Sequence, residues 1–96
     1  MMTFLARMKV KAGKEADFVR LANKLTQKVR EHEPETTAYE FFKLRDDPLG
    51  YAVFEQFTSD KAEEAHRNTP HFHAIAPELI ECLDGTYVRE FLDPLE

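Results

Sequence analysis

Between Thr3 and Val10 the apolar side chains Phe4, Ala6, Met8 and Val10 recur at every second position. A period of two marks a strand with one buried face. Lys11-Ala12-Gly13-Lys14 breaks this pattern, and from Glu15 to about His32 the period lengthens. Phe18, Leu21, Ala22, Leu25 and Val29 then fall on one face of a helix, with charged and amide side chains between them. Glu33-Pro34-Glu35 ends that helix, because the residue before a proline disfavours helical geometry. Ala38 to Leu44 and Tyr51 to Phe57 are rich in aromatic and β-branched residues, and the turn formers of Arg45-Asp46-Asp47-Pro48-Leu49-Gly50 join them as a hairpin. Ser59-Asp60 opens a short helix in which Asp60 and Glu63 have the spacing of a capping box, and Ala62, Ala65 and His66 share a face. Thr69 and Pro70 suit the cap and first position of another helix running to about Leu83, with Phe72, Ile75, Ala76, Leu79 and Leu83 as its buried stripe. Pro77 lies inside it and should bend it. Asp84-Gly85 stops it, and Thr86 to Leu92 forms the last strand.

The order β-α-β-β-α-β predicts an α+β ferredoxin-like sandwich, with helices on one face of a four-stranded sheet. The uncovered face of such a sheet should be polar. Here the adjacent pairs Phe41 and Phe42, Val53 and Phe54, and Tyr87 and Val88 must place apolar groups on both faces. No segment is left over to cover the second face, so a second copy packed sheet to sheet is expected, as a C2 homodimer. Scattered surface aromatics are the plainer alternative.

Ninety-six residues suffice for one core but not two, so residues 1–96 are expected to form one domain. The net charge of −5, with basic residues interspersed among acids, argues against nucleic acid or an anionic membrane as partner. No apolar run approaches the roughly 20 residues of a spanning helix, and the first residues lack the pattern of a signal peptide. Cys82 stands alone, which excludes a disulfide framework and suggests a reducing, cytoplasmic setting. Packed as a small hydrophobe, it has no evident activating neighbour.

Three of the four histidines lie in His66-Arg67-Asn68-Thr69-Pro70-His71-Phe72-His73, where acid–base chemistry near pH 7 would most naturally start. His66 is the first candidate base, since Ala62 and Ala65 leave room beside it. Alternatively it is a structural histidine bonded to a strand carboxylate such as Glu55. His71, near the positive end of its helix, is placed to bond a substrate oxygen or simply to fix the helix start. His73 should face solvent. The spacing of His66, His71 and His73 does not match helical metal pairs, so no metal is expected, with Glu55 the carboxylate ligand were one bound. Glu55, between Val53 and Phe57, needs a partner such as His66 or Arg7 if buried. Tyr39, Tyr51 and Tyr87 have the chemistry to bind a phenol or quinone oxygen, and Phe4, Phe41, Phe54 and Phe72 to stack on a flat ring or to fill the core.

The chain resembles the antibiotic biosynthesis monooxygenase family. The resemblance is carried by Val10-Lys11-Ala12-Gly13-Lys14-Glu15, by Glu33-Pro34-Glu35-Thr36-Thr37-Ala38-Tyr39-Glu40, by Asp47-Pro48, by Val53-Phe54-Glu55-Gln56-Phe57, and by His66-Arg67-Asn68-Thr69-Pro70-His71-Phe72. It departs at Glu35, where the family often has glycine, so this turn should adopt another conformation. The resemblance implies a dimeric α/β-barrel with a cavity between sheet and helices. Better-known members oxidise phenolic, anthrone or quinol-type substrates with O2 and no metal or organic cofactor. Other members degrade heme, and one branch isomerises a phosphorylated compound. Heme degradation within this fold depends on a pocket tryptophan and a first-strand asparagine, and this chain has no tryptophan and no asparagine between Thr3 and Val10.

Cofactor-free oxygenation needs a base to make an electron-rich anion, donors to stabilise it, and a dry pocket. The expectation is therefore a cofactor-independent monooxygenase of a small phenolic or quinol-type aromatic substrate. His66 would be its base, and His71, Tyr39, Glu55, Phe72 and Phe54 would surround the substrate. An isomerase or other proton-transfer enzyme acting on a small carbonyl compound is the alternative, with Arg7, Lys43 and Arg89 as the basic groups available to a phosphate. A non-catalytic small-molecule-binding dimer is the third reading, and a pocket too small for an aromatic ring would favour it.

Overall fold

The computed structural model describes all 96 residues. The chain runs β1 (Met2–Lys9), α1 (Glu15–His32), β2 (Thr36–Lys43), β3 (Gly50–Phe57), α2 (Asp60–Arg67), α3 (Pro70–Glu81) and β4 (Val88–Phe91). The strands form one sheet in the order β2-β3-β1-β4, with every neighbouring pair antiparallel. This is the ferredoxin-like α+β arrangement, its second helical unit divided into α2 and α3.

Register explains which side chains meet the helices. Phe4 lies opposite Glu55 and Phe91, Ala6 opposite Val53 and Arg89, and Met8 opposite Tyr51. On the other side of β3, Tyr39 lies opposite Glu55 and Phe41 opposite Val53. Because side chains alternate along a strand, these residues share one face. They pack against the α1 stripe Phe18, Leu21, Ala22, Leu25 and Val29, all buried as the helical period predicts. Ile75, Leu79 and Leu83 close the core from the α3 side.

The opposite face carries Leu5, Phe42, Ala52, Phe54 and Val88, with Phe42 45% and Val88 73% exposed. Ion pairs between Arg7 and Glu90 and between Lys9 and Asp47 flank these apolar groups.

Local details refine the sequence expectations. In the hairpin, Asp47 accepts a hydrogen bond from the Leu49 N–H at 3.1 Å, and a Cβ on Gly50 would lie 2.8 Å from the Asp47 side chain. The α2 cap is Ser59, which accepts from the Ala62 N–H at 3.0 Å, instead of an Asp60–Glu63 box. Glu63 turns inward with Ala62 and His66, while Ala65 is exposed. At about 100° per residue, positions 62, 63 and 66 make one face and 65 lies on its flank. Around Glu35 the turn closes through the Thr36 N–H to the Glu33 carbonyl, with no positive φ at any non-glycine residue. α3 stops at Glu81, and Gly85 takes a φ of +91° before β4. β4 is shorter than expected because only Phe4 to Arg7 of β1 pair with it.

Thr69 caps α3 by accepting from the Phe72 N–H at 3.2 Å, with Pro70 at the first helical position. Thr69→Ala is expected to lower stability by about 1 kcal/mol in urea denaturation, with Thr69→Ser close to wild type. Equal stability of the alanine variant would mean that the cap contributes nothing.

Candidate active site

His66 sits in the last turn of α2, 3% exposed. Tyr39, Phe57 and Phe72 surround its ring, with centroids 5.3, 5.4 and 5.0 Å away. Nδ1 lies 2.8 and 3.1 Å from the two carboxylate oxygens of Glu33. Glu33 also accepts from His71 Nε2 at 2.5 Å and from Thr36 Oγ1 at 2.7 Å. Burial pushes the Glu33 carboxyl up, but the hydrogen bonds from His66, His71 and Thr36 outweigh it and hold the group below its ordinary range. An ionised Glu33 accepts only, so His66 Nδ1 donates, and in the neutral ring Nε2 is then the nitrogen that carries the lone pair.

That geometry corrects one expectation. The carboxylate bonded to His66 is Glu33; Glu55 Oε1 lies 3.8 Å from Nε2, beyond hydrogen-bond distance. The Glu33-Pro34-Glu35 segment marks the helix end, yet an acid at a helix C-terminus opposes the macrodipole. Glu33 occupies that position as the α1 C-cap, and the conflict was the available signal that something else holds it.

Glu55 projects from the inner face of β3, 9% exposed. Arg7 is not its partner, because Arg7 lies on the opposite face and pairs with Glu90. The Glu55 carboxyl forms no hydrogen bond with the rest of the chain. Burial pushes its pKa up to about 8; Arg89 opposes that rise, and Glu63 and Glu33 add to it. The group is thus largely protonated at neutral pH. Glu63, also buried, meets Arg67 Nε and Nη2 at 2.7 and 3.0 Å and Arg89 Nη1 at 3.5 Å. The Arg89 guanidinium in turn lies 4.7 Å from the centre of the Phe4 ring.

Between sheet and α3 lies a mainly apolar cavity of about 60 Å³ that brings His66, Glu55, Tyr39 and Phe72 together. Burial, with the neighbouring Glu55 and Glu33, pushes the Tyr39 hydroxyl well above its usual range, so it stays neutral. Phe41 and Tyr87 also line the cavity. His71 does not reach it and bonds Glu33 from outside, with its ring stacked 5.9 Å from that of His32. Phe54 is on the opposite face of the sheet, because its neighbours Val53 and Glu55 take the inner positions. Tyr51 packs on Phe18 instead, and Phe4 is buried in the core. Of the basic groups, only Arg89 of Arg7, Lys43 and Arg89 lines the cavity. His73 is exposed. No group of three or more His, Cys, Asp or Glu residues is arranged to hold a metal ion. An engineered cavity that accepts benzene measures about 150 Å³, so this one in its present shape is smaller than an aromatic ring needs.

The family model described as antibiotic biosynthesis monooxygenase matches residues 1–78. A crystal structure of a Caulobacter crescentus protein assigned to the antibiotic biosynthesis monooxygenases is 28% identical, with a TM-score of 0.91 over 99% of this chain and 90% of that one. A Pseudomonas aeruginosa protein is 25% identical, with a TM-score of 0.85 over 99% of this chain and 94% of that one. A further antibiotic biosynthesis monooxygenase structure, at 23% identity, has a TM-score of 0.90 and full coverage of both chains. No curated protein is significantly similar in sequence.

The state of Glu55 has a measurable consequence. Its folded pKa of about 8 exceeds the ordinary 4.5, so between those values the folded protein holds the extra proton. Glu55 therefore makes stability fall as pH rises from about 4.5 to 8, and its contribution flattens above that. Glu55→Gln removes this slope. Relative to wild type, the variant should gain roughly 2–4 kcal/mol between pH 5 and pH 9 in urea denaturation. Parallel pH profiles would show that Glu55 ionises as easily folded as unfolded.

Proposed function

Because this chain belongs to the antibiotic biosynthesis monooxygenase family, we propose that it is a cofactor-independent monooxygenase of a small phenolic or quinol-type substrate, with His66 as general base. One observation carries the reading: His66 Nδ1 is anchored on Glu33 while Nε2 faces an apolar cavity. Anchoring one ring nitrogen fixes the tautomer and stabilises the imidazolium formed when the other takes a proton. The substrate hydroxyl loses its proton to Nε2, and the resulting electron-rich anion passes one electron to triplet O2. Exclusion of water strengthens the electrostatic contacts inside and protects the reactive anion. Neither a metal nor an organic cofactor is required for that sequence. For a ring to enter, the partly exposed Ile80 and Tyr87 on the cavity wall swing aside.

The cavity volume favours a second reading, in which a smaller molecule binds without oxygenation or undergoes proton transfer alone. The rest of the proposal is a one-domain, cytoplasmic protein that pairs through Leu5, Phe42, Phe54 and Val88 of the outer sheet face as a C2 dimer. No helix is long and apolar enough to cross a membrane.

Oxygen uptake with a panel of hydroquinones tests the reaction. His66→Ala should reduce turnover about 100-fold or more; undiminished turnover excludes the role. Absence of uptake by the wild type, with binding retained, selects the second reading. Sedimentation at micromolar concentration should show a dimer that Phe42→Lys shifts toward monomer. A stable wild-type monomer would remove the proposed interface.

A further inference from the structure

We propose that Glu55 and His66 Nε2 together grip one un-ionised hydroxyl oxygen, so that the ligand is a neutral phenol or enol and Glu55 is its hydrogen-bond donor. The proposal deepens the monooxygenase reading and rests on it for the role of His66. The two groups lie 3.8 Å apart on the wall of one cavity, a gap that lets a single oxygen sit within hydrogen-bond distance of both.

Their hydrogen-bonding capacities are complementary. With Nδ1 donating to Glu33, Nε2 is the nitrogen that accepts in the neutral ring. The Glu55 carboxyl donates when protonated and finds no partner within the chain. No side-chain polar atom of the chain is both fully buried and unpaired, so the Glu55 oxygens keep a residual contact with solvent, which a ligand hydroxyl would replace by a hydrogen bond inside the apolar cavity. A hydroxyl supplies one donor and two lone pairs, which satisfies both neighbours at once. An ether oxygen has no proton for Nε2. A carboxylate or phosphate would bring negative charge beside Glu33 and Glu63, where both cations on the cavity wall, Arg67 and Arg89, are already engaged by Glu63, and Arg89 also lies over the Phe4 ring.

The proton inventory also balances. The hydroxyl O–H bond breaks, a new N–H bond forms at Nε2, and the electron pair stays on the oxygen. Glu55 keeps its own proton and strengthens its hydrogen bond as that oxygen becomes charged. The groups around Glu55 are Glu63, His66 and Arg67 from α2, Glu33 from the α1–β2 turn, Tyr39 from β2, Tyr87 before β4 and Arg89 from β4. A Glu55→Gln control is therefore needed to isolate its part of any pH effect.

Calorimetric binding of phenol, anisole and benzoate at pH 7 and pH 9 tests the assignment, using wild type, Glu55→Gln and Glu55→Leu. Thermal melts establish that each variant is folded. Phenol should bind wild type at least about tenfold tighter than either analogue at pH 7, and about tenfold more weakly at pH 9. Glu55→Gln keeps an amide donor, so it should retain phenol binding within about threefold at pH 7 and lose the pH dependence. Glu55→Leu should bind phenol about tenfold more weakly.

Undetectable phenol binding, benzoate binding equal to phenol, or a pH-independent wild type would overturn the proposal. Affinity that rises with pH would assign Glu55 as acceptor and overturn it equally. Since none of these measurements needs turnover, the expected binding pattern without oxygen uptake refutes the monooxygenase reading alone. Oxygen uptake without that pattern refutes the Glu55 assignment alone.

Discussion

The Glu33 carboxylate is the junction on which the cavity side of this fold depends. It sits at the C-terminal end of α1, where the helix carbonyls disfavour negative charge, and it is largely buried. Left alone there, it would be destabilising. Two imidazoles and the Thr36 hydroxyl instead converge on its two oxygens and keep it ionised. The same contacts tie the end of α1 to the last turn of α2 and the first turn of α3. They also decide which His66 nitrogen faces the cavity.

Around that junction, three buried carboxyl groups occupy three different environments. Glu33 is supplied with N–H and O–H donors, Glu63 with two guanidinium groups, and Glu55 with neither. At Glu33 the hydrogen bonds outweigh desolvation, whereas at Glu55 desolvation prevails and leaves a neutral acid beside the His66 ring. Separating the ionisation of neighbouring carboxyls by environment is a recurrent way for a protein to place a donor and an acceptor side by side at one pH. The two cations on this wall, Arg67 and Arg89, do not undo the arrangement, because Glu63 engages both. Arg89 comes from the edge strand and is held by Glu63 and the Phe4 ring.

Most of the fold was legible because its elements obey short-range periods. The alternation of Phe4, Ala6 and Met8, the stripe from Phe18 to Val29, and the Thr69-Pro70 helix start all appear in the structure as read. Part of the site was legible too: His66, Glu55, Tyr39 and Phe72 do meet at one cavity. The misreadings concern long-range or angular facts that local patterns do not contain. The short-range pattern puts Ala65 on the inward face with Ala62 and His66, but helix rotation gives that position to Glu63. Phe54 has the chemistry to stack on a substrate, but the alternation that gives Val53 the inner face puts Phe54 on the outer one. In the local pattern Glu33 is only the end of a helix, since nothing within a few residues of it reveals that His66 and His71 arrive from elsewhere in the chain.

The break between α2 and α3 then has a structural reason. In one continuous helix, five residues separate His66 from His71 by about 140° around the axis and about 7.5 Å along it. Two rings so arranged cannot donate to opposite oxygens of one carboxylate. By interrupting the helix at Asn68 and restarting it on the Thr69 hydroxyl and Pro70, the chain resets the angular phase and turns both rings toward Glu33. The seam is also secured from behind, because the Thr69 hydroxyl donates to the His66 carbonyl at 2.8 Å while accepting from the Phe72 N–H. One small side chain thus links the last turn that carries His66 to the first turn that carries His71 and Phe72. The precision of the cavity wall follows from that link as much as from the aromatic packing around it.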